Sequence, residues 1–465
     1  MPAVECAIRW LRATGKGNQL IEIALLLATP ALLTGVVGVP VEPRSIEPAS
    51  VVVSEAMPGA AADPVADPLG GPSVPLDTLH GIALLDRLDS LPRGDVRRFL
   101  DAHPDAVADL IAHPPTATDV AAWWSGAPLS GRVTLSTLAP ELIGNLEGVP
   151  YGARDRANRD VLAEASDELH ARLAGTIGRA ERSELEGRQH MLEQIEKALQ
   201  SRDELRRLVT LDVTGDGRAV IAVGDLARAD YVSYLVPGMF FGVDAQIEAW
   251  TATAQTLVDD QQRWLRLLDP GTDARVAAVA WIGYTTPSLV NVASMELARE
   301  GRDALTASLQ GLRASRGDDQ PYLAVLAHSY GSTAALLSLA EDDVSVDALA
   351  VVGSPGSPAR SVSELHVTGG NVWVGAAEWD PIPASGVFGS QPSSRAYGAR
   401  LFSVAAGTDS VTGAELGGAV THNDYFAPGS MSLRNLALIG IDAGDLVTGP
   451  DHSRGDFARA LTRVL

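Results

Sequence analysis

The stretch PYLAVLAHSYGSTAA, residues 321–335, decides the fold predicted for this chain. An apolar run at 323–326 leads through Ser329 and Gly331 into residues that favour a helix. This pattern predicts a strand, a sharp turn and a helix, with the serine at the apex of a nucleophile elbow. Small residues at positions 327 and 331 would let the strand and the helix approach closely. The alternative is that Ser329 simply caps the N-terminus of a helix.

The composition restricts the class of protein. The chain has 465 residues, of which 46% are hydrophobic, and this suffices for one large domain with accessory segments. Its formal net charge of -22 argues against nucleic acid as a partner, because binding to phosphates requires a basic surface. Cys6 is the only cysteine, so an intrachain disulfide is excluded. We find no metal-binding or nucleotide-binding motif and predict no cofactor.

The first 75 residues differ in character from the rest. Basic side chains within residues 1–19 precede an uncharged apolar run at 23–41, a pattern typical of a signal peptide or a membrane anchor. We therefore expect the segment 1–41 to direct export or membrane association; without that role the chain would be cytoplasmic. Residues 42–75 are rich in Pro, Ala, Gly and acidic side chains, and we predict that they form a linker.

Periodic apolar residues predict helices between 76 and 207. Leucines recur every seven residues across 185–199, which predicts a helical hairpin or a short coiled coil. Trp123 and Trp124 lie in this region, and we interpret them as anchors of the core; the alternative is a platform for a substrate. We expect residues 76–207 to form a helical domain.

Strand and turn signals dominate from residue 208 to residue 465. Two β-branched runs joined by 214–217 predict a hairpin, and later strands alternate with helices. This alternation predicts an α/β fold, a mostly parallel sheet with helices on both faces. The predicted strands are 208–213, 219–223, 231–236, 276–282, 323–326, 348–352, 372–376 and 401–404.

A serine hydroxyl becomes a strong nucleophile only when an imidazole accepts its proton and a carboxylate orients that imidazole. In sheets of this kind, loops after later strands supply first the acid and then the histidine. Asp380 follows the strand that ends near Ala377, and His422 follows the strand near Leu401. We predict that Ser329, Asp380 and His422 form a catalytic triad.

Other side chains compete for these two roles. Glu378 is the second choice for the acid, because it lies at the predicted strand end. His452 is the rival base, although it lies near the C-terminus beyond the last predicted strand. His366 precedes the acid and breaks the order. We expect His328 to pack or to form a hydrogen bond beneath the turn.

An acyl transfer reaction also needs preorganised donors for the oxyanion that develops on the carbonyl. The amide of Tyr330, at the start of the helix after the serine, is the first predicted donor. The loop 237–240 after the third strand supplies the second, which we assign to the amide of Met239. Gly238 would allow this loop to pass close to a substrate.

Several short motifs within 123–428 resemble a known family when they are taken as a set. They are WW at 123, IGNLEGVP at 143, RDRANR at 154, LVPGM at 235, WIGYTTP at 281, AHSYGS at 327, GSPG at 353, the Asp380 loop and HNDYF at 422. This set resembles an α/β-hydrolase subfamily that is catalogued as a domain of unknown function. The resemblance implies the α/β-hydrolase fold and the triad named above, but no established substrate. Ala327 stands where glycine is commoner, and Thr285–Thr286 where an Asp-Ala pair is usual.

These patterns predict a serine hydrolase that cleaves an ester, thioester or related acyl bond of a small molecule through an acyl-enzyme. One alternative is a non-catalytic α/β-hydrolase scaffold used for binding or envelope assembly. Another is a peptidase of the same fold. The sequence leaves the acyl chain, the leaving group and the oligomeric state open.

Overall fold

The computed structural model describes residues 75–201, 204–288, 291–341 and 343–450. Residues 76–288 and 292–450 belong to one compact unit. The predicted leader and the predicted linker lie outside the described residues, apart from Pro75. In the part of the chain that is described, no helix combines the length and the apolar character that crossing a bilayer requires.

Proline directly precedes four of the helices in the N-terminal region and is the first residue of a fifth. Its ring fixes φ near the helical value and its missing N–H would have no partner in the first turn, so it suits a helix start. The α-helices described before the first strand are α1 (Gly81–Asp89), α2 (Arg93–Ala102), α3 (Asp105–Ala112), α4 (Ala117–Gly126), α5 (Leu129–Leu138), α6 (Pro140–Asn145), α7 (Tyr151–Leu173) and α8 (Arg179–Leu199). The prolines at their starts are Pro92, Pro104, Pro128, Pro140 and Pro150.

The two tryptophans interpreted as core anchors lie in α4. Trp123 is buried, and its indole N–H donates a hydrogen bond of 2.8 Å to the carboxylate of Asp89. Trp124 packs edge-on against Trp123, with ring centroids 5.8 Å apart, and is partly buried at the same core. The rings therefore hold helices together, and the alternative of a substrate platform is wrong for Trp123.

The predicted helical hairpin is present. Helices α7 and α8 pack against each other and are separated by a turn that contains Gly175 and Gly178. The leucines seven residues apart lie on the buried face of α8, where Leu185 and Leu192 are almost fully covered. This face packs against the sheet and one of its helices, so the heptad pattern marks a core-facing stripe.

The α/β fold predicted from the sequence is confirmed. The main sheet contains β1 (Arg206–Asp212), β2 (Arg218–Val223), β3 (Tyr231–Val236), β4 (Val276–Ile282), β5 (Tyr322–His328), β6 (Ala348–Val352), β7 (Val372–Gly375) and β8 (Arg400–Leu401), in the order β1-β2-β4-β3-β5-β6-β7-β8. Strands β1 and β2 form the predicted antiparallel hairpin, β2 runs antiparallel to β4, and the remaining pairs are parallel. The carboxyl ends of β3 to β8 therefore meet at one edge of the sheet.

Later helices and short elements complete the fold. The helices are α9 (Val243–Leu268), α10 (Glu296–Arg316), α11 (Tyr330–Ser338), α12 (Ile382–Ser385) and α13 (Met431–Ile439), and a small antiparallel pair joins β9 (Gly407–Thr408) to β10 (Glu415–Leu416). Short 3-10 helices span Leu76–Thr78, Val362–Glu364, Thr368–Gly370, Arg395–Tyr397 and Gly444–Leu446.

Both faces of the sheet are covered, which explains why its strands read as continuous apolar runs. Successive residues of β4 belong to opposite cores: Ala278 and Ala280 face α8, α9 and α13, whereas Val279 and Trp281 face α10 and α11. This alternation follows from the two-residue period of a strand. Strand β8 spans residues 400–401 rather than the predicted 401–404, because in the described sheet it lies at the edge and pairs with β7 over two residues.

Side chains of α6 and α7 cover the outer edge of β1. The amide of Asn145 donates to the carbonyl of Leu211 at 2.9 Å, and its oxygen accepts from the Leu211 N–H at 3.0 Å. The carboxylate of Asp155 accepts from the Leu208 N–H at 2.8 Å, and the amide of Asn158 donates to the Leu208 carbonyl at 3.0 Å. These bonds replace a neighbouring strand and protect an edge that could otherwise pair with another chain.

We expect the substitution Asn145→Ala to lower the free energy of unfolding by about 2 kcal/mol, because it leaves two backbone groups of Leu211 without partners. Urea unfolding followed by circular dichroism measures the change. The matched control is Gln200→Ala at an exposed position, which should leave the midpoint unchanged. Equal midpoints for the two variants would show that the amide contributes nothing to holding this edge.

Candidate active site

Ser329 occupies a strained turn between β5 and α11. Its backbone has φ 53° and ψ -130°, a region that residues other than glycine rarely adopt. The serine precedes the first residue of α11, yet its side chain makes no capping hydrogen bond to the helix. The alternative of an ordinary helix cap is therefore wrong, and the turn has the geometry of a nucleophile elbow.

Small residues allow the elbow to approach the loop after β3. A Cβ atom on Gly331 would lie 2.2 Å from the carbonyl oxygen of Pro237, and one on Gly238 would lie 2.5 Å from the Cβ of Ser329. Neither position accepts a side chain unless the backbone moves. Ala327, where glycine is commoner in the resembled subfamily, is fully buried in the core, so its methyl group is accommodated.

The structure brings the three predicted triad residues together. Nε2 of His422 lies 2.7 Å from Oγ of Ser329, and Nδ1 of His422 lies 2.9 Å from Oδ2 of Asp380. Each of the three residues is less than a tenth exposed. The residues are far apart in the chain, and they meet because β5 and β7 end at the same edge of the sheet.

The hydrogen bonds fix the proton positions within this chain of side chains. Burial alone would raise the pKa of Asp380, but hydrogen bonds from His422, Tyr425 and the amide of Ile382 outweigh it and hold the pKa below its usual range. An ionised carboxylate only accepts, so Nδ1 of His422 carries the proton and donates it. Nε2 is then free to accept from the hydroxyl of Ser329, the arrangement that a general base requires.

Tyr425 supports the acid, and sequence reasoning gave it no role. Its hydroxyl donates to Oδ2 of Asp380 at 2.6 Å and accepts from the backbone N–H of Ala377 at 2.8 Å. It therefore ties the loop that carries His422 to the end of β7. The tyrosine belongs to the HNDYF motif, but the motif alone does not say that its hydroxyl turns toward the carboxylate.

Gly353 also lies at the site, although the sequence analysis gave it no role there. It follows β6 with φ 60°, and a Cβ atom there would lie 3.0 Å from both Oδ2 of Asp380 and Nδ1 of His422. Glycine adopts this backbone conformation without strain and leaves room for the bond between acid and histidine. The available signal was the GSPG motif, a glycine directly after a buried strand.

His328 lies beneath the elbow, as predicted. Its Nε2 lies 2.7 Å from the carbonyl oxygen of His422, and because a carbonyl only accepts, Nε2 carries the proton and donates. The two imidazole rings are close, with centroids 4.7 Å apart. Burial, followed by the proximity of His422, lowers the pKa of His328 to about 3, so the ring stays neutral at physiological pH.

This buried imidazole should make the protein sensitive to acid. The unfolded chain binds a proton at His328 below about pH 6.5, whereas the folded chain does so only near pH 3, so stability is lost as pH falls between those values. Lowering the pH from 7 to 5 should remove about 2 kcal/mol through this group. The substitution His328→Gln keeps an N–H donor without the titration and should reduce the loss. Urea unfolding of both proteins at each pH measures the difference, and equal losses would contradict the prediction.

The two predicted oxyanion donors have free amides in the described structure. Tyr330 is the first residue of α11, so its N–H has no partner within the helix, and no other described group accepts from it. The N–H of Met239 likewise donates to no described group. The neighbouring Phe240 has φ 60° and donates its N–H to the carbonyl of Pro287 at 3.1 Å, which fixes the loop. The donor roles stay predictions.

The rival residues lie elsewhere. Glu378 is exposed, and no hydrogen bond joins it to His422 in the described structure. His366 directly precedes Val367, which forms an isolated β-bridge with Val346 close to the amino ends of β6 and β7. It therefore lies at the edge of the sheet opposite to the triad. His452 lies outside the described residues. Of the candidates that the structure describes, Asp380 and His422 are the ones placed for the predicted roles.

A separate cavity of about 320 Å³ lies between the β1–β2 turn and the end of β4. Its lining is polar and includes Asp212, Asp216, Arg218 and Glu300. Thr285, one of the departures from the resembled subfamily, also lines it. The departure therefore concerns this cavity and leaves the triad unchanged.

Residues 212–389 match a family model described as Alpha/beta hydrolase. Two proteins of Mycobacterium tuberculosis, uncharacterized protein MT2140 from strain CDC 1551 / Oshkosh and uncharacterized protein Rv2079 from strain ATCC 25618 / H37Rv, are each 28% identical to this chain over 404 residues. The matches cover 74% of this chain and 59% of each relative, so the chain spans about three fifths of the length of these proteins.

Solved esterase structures show a more distant likeness. Fungal esterases from Rhizomucor miehei are represented by a chain with 13% identity and a TM-score of 0.34, over 61% of this chain and 95% of that chain. A thermostable esterase from Pseudomonas putida has 14% identity and a TM-score of 0.30, over 62% of this chain and 97% of that chain. At these scores the likeness carries no argument about activity.

Proposed function

We propose that this chain, a member of the α/β-hydrolase superfamily, is a serine hydrolase that cleaves an ester, thioester or related acyl bond. The proposal is carried by one observation, the continuous hydrogen bonds from Ser329 through His422 to Asp380. The strained backbone of Ser329 supports it, since strain of this kind is typical of functional sites. The reaction requires no cofactor, because side chains and backbone amides supply every proton transfer and charge contact.

The mechanism follows from the proton positions. Oγ of Ser329 attacks the acyl carbon while Nε2 of His422 accepts the hydroxyl proton, and the carbonyl electrons move onto its oxygen. The amides of Tyr330 and Met239 donate to this oxyanion. Collapse of the intermediate breaks the bond to the leaving group, which takes the proton from His422 and departs, leaving an acyl-enzyme. Water then attacks by the same path and releases the acid.

Asp380 acts throughout by holding His422 in one tautomer and stabilising the imidazolium that forms. Tyr425 donates to the same carboxylate oxygen as His422, and the amide of Ile382 donates to the other oxygen, so both help to hold Asp380 in place. Electrostatic preorganisation of this kind is effective because the groups are buried and need not reorient during the reaction.

Labelling with a fluorophosphonate probe tests the proposal on the intact chain. An activated Ser329 attacks the phosphorus and displaces fluoride, so the wild-type protein should gain a stable adduct that mass spectrometry locates on this residue. The variant Ser329→Ala should not be labelled. If the wild-type protein stays unlabelled, the triad is idle and the alternative of a non-catalytic binding scaffold is favoured. Labelling without ester turnover, but with cleavage of peptides, would favour the peptidase alternative.

A further inference from the structure

Of the aromatic side chains in the described residues, two are exposed, and both lie on loops beside the triad. Trp379 is 72% exposed and directly precedes Asp380; Phe240 is 40% exposed and directly follows Met239. Large aromatic rings supply much of the apolar area that proteins bury. Two exposed rings at one functional site therefore call for an explanation other than packing.

The order of the strands places these rings on opposite sides of the serine. Phe240 follows β3 and Ser329 follows β5, and these strands are neighbours. Trp379 follows β7, two strand positions beyond β5 in the other direction. Neighbouring strands are about 4.8 Å apart, so the attachment points of the two rings are separated by about 15 Å along the edge.

Two further exposed apolar side chains lie on loops that carry or contact residues of the site. Val420 is two residues before His422, and Val387 is next to Phe388, whose ring packs edge-on against Tyr330 at 5.5 Å between centroids. We name the set of four exposed side chains the apolar rim; it consists of Phe240, Trp379, Val387 and Val420. Phe240, Trp379 and Val420 each lie within two residues of a proposed triad residue or oxyanion donor. Val387 lies next to a residue that packs on the oxyanion donor Tyr330.

Phe240 combines an exposed ring with a strained backbone. A bulky residue with φ of 60° is an outlier, and the conformation is held by the hydrogen bond to Pro287. The strain does not bury the ring, which stays 40% exposed. Outliers of this kind persist where the surrounding structure imposes them, and they concentrate at functional sites.

Ser329 itself is only 4% exposed, so the reacting end of a substrate must enter while the rest stays outside. We propose that the substrate is a neutral ester with an apolar chain of about eight carbons or more, and that this chain lies on the apolar rim. This inference rests on the proposed function. The formal charge of -22 and the exposed Glu378 beside Trp379 disfavour an anionic chain at this surface.

The test compares kcat/KM for p-nitrophenyl octanoate and p-nitrophenyl acetate on the full chain, both below the concentration at which the octanoate forms micelles. We define the chain-length ratio as the octanoate value divided by the acetate value. The wild-type ratio should be roughly tenfold or more, because each methylene that leaves water contributes to binding. Both esters share one leaving group, so the ratio reports the acyl chain.

At least one of the variants Trp379→Ser and Phe240→Ser should lower the chain-length ratio threefold or more, and the variant that does so shows on which side of Ser329 the acyl chain lies. The ratio is the right measure because any disturbance of the adjacent Asp380 or Met239 would lower both rate constants together. The matched control is Leu267→Ser, which also replaces an exposed apolar side chain, 52% exposed, with serine. Leu267 lies near the end of α9, and this end leads to the start of β4, at the edge of the sheet opposite to the triad. The control should leave the ratio unchanged.

The outcomes separate this inference from the proposed function. A ratio near one in the wild-type protein, with hydrolysis that depends on Ser329, would overturn the inference and leave the proposed function standing. The same holds for a high ratio that neither rim variant changes. Failure to hydrolyse either ester would overturn both. Analytical ultracentrifugation gives a further check: a wild-type dimer that Trp379→Ser converts to a monomer would assign the rim to contact between copies and overturn the inference.

Discussion

Replacing Ser329 with alanine should lower kcat/KM for short p-nitrophenyl esters by ~10⁴-fold or more. The substitution removes the hydroxyl oxygen that lies 2.7 Å from Nε2 of His422, which is the attacking atom. The oxyanion donors and the binding surface remain, so a small residual rate above that of the uncatalysed reaction is expected. Initial rates of p-nitrophenol release from the variant and the wild-type protein, measured side by side, give the loss in kcat/KM directly.

The control for this variant is Ser125→Ala, an exposed serine in α4 whose hydroxyl donates to a carbonyl of its own helix. It should retain wild-type kcat/KM. The midpoint temperature of thermal unfolding of the Ser329→Ala protein should equal or exceed that of the wild type, because the substitution removes no core packing. Unchanged turnover in a folded Ser329→Ala protein would refute the assignment of the nucleophile.

Asp380→Asn should have the second largest effect, a loss of about 10⁴-fold in kcat. The neutral amide no longer favours the proton on Nδ1 of His422, so the histidine can adopt the tautomer in which Nε2 carries the proton and cannot accept one from Ser329. The imidazolium formed during attack also loses its negative neighbour. The shape of the site should survive, since the amide is isosteric with the carboxylate.

Glu378→Gln is the matched comparison for this experiment. Glu378 was the rival acid in the sequence, but it is exposed, so the same change from carboxylate to amide should alter kcat less than about twofold. A large loss in Glu378→Gln together with a small loss in Asp380→Asn would reverse the assignment. Equal small losses in both would mean that the histidine needs no acid.

The fold could be predicted from the sequence because the patterns that indicate strands and helices involve residues that are close in the chain. Both faces of the central strands are buried, and apolar runs such as 276–282 and 348–352 therefore matched the observed strands to the residue. Strand β5 is longer than predicted and extends to His328, because the backbone of this polar residue still pairs with Val352 of β6. Hydropathy alone could not reveal that extension.

The approximate position of the site could be predicted from the sequence because of the topology of the sheet. In a parallel sheet the loops after successive strands share one edge, so chain order alone selected the loops of Asp380 and His422. Glu378 was ranked second because it was expected at the end of the strand, but β7 ends earlier, at Gly375. The two carboxylates are distinguished instead by their directions, since Glu378 is exposed whereas Asp380 is buried beside His422. The structure adds the distances that chain order alone does not give, 2.7 Å from Ser329 to His422 and 2.9 Å from His422 to Asp380.

The sequence by itself determined the order of strands and helices, the turn at Ser329 and the loops that carry its partners, because these depend on hydrophobic period and on neighbours in the chain. Only the tertiary structure decided that Tyr425 holds Asp380, that His328 supports His422, that Gly353 leaves room for both, and that two aromatic rings stay exposed on either side of the serine. Those facts depend on the direction of side chains across strands distant in sequence, which no local pattern encodes.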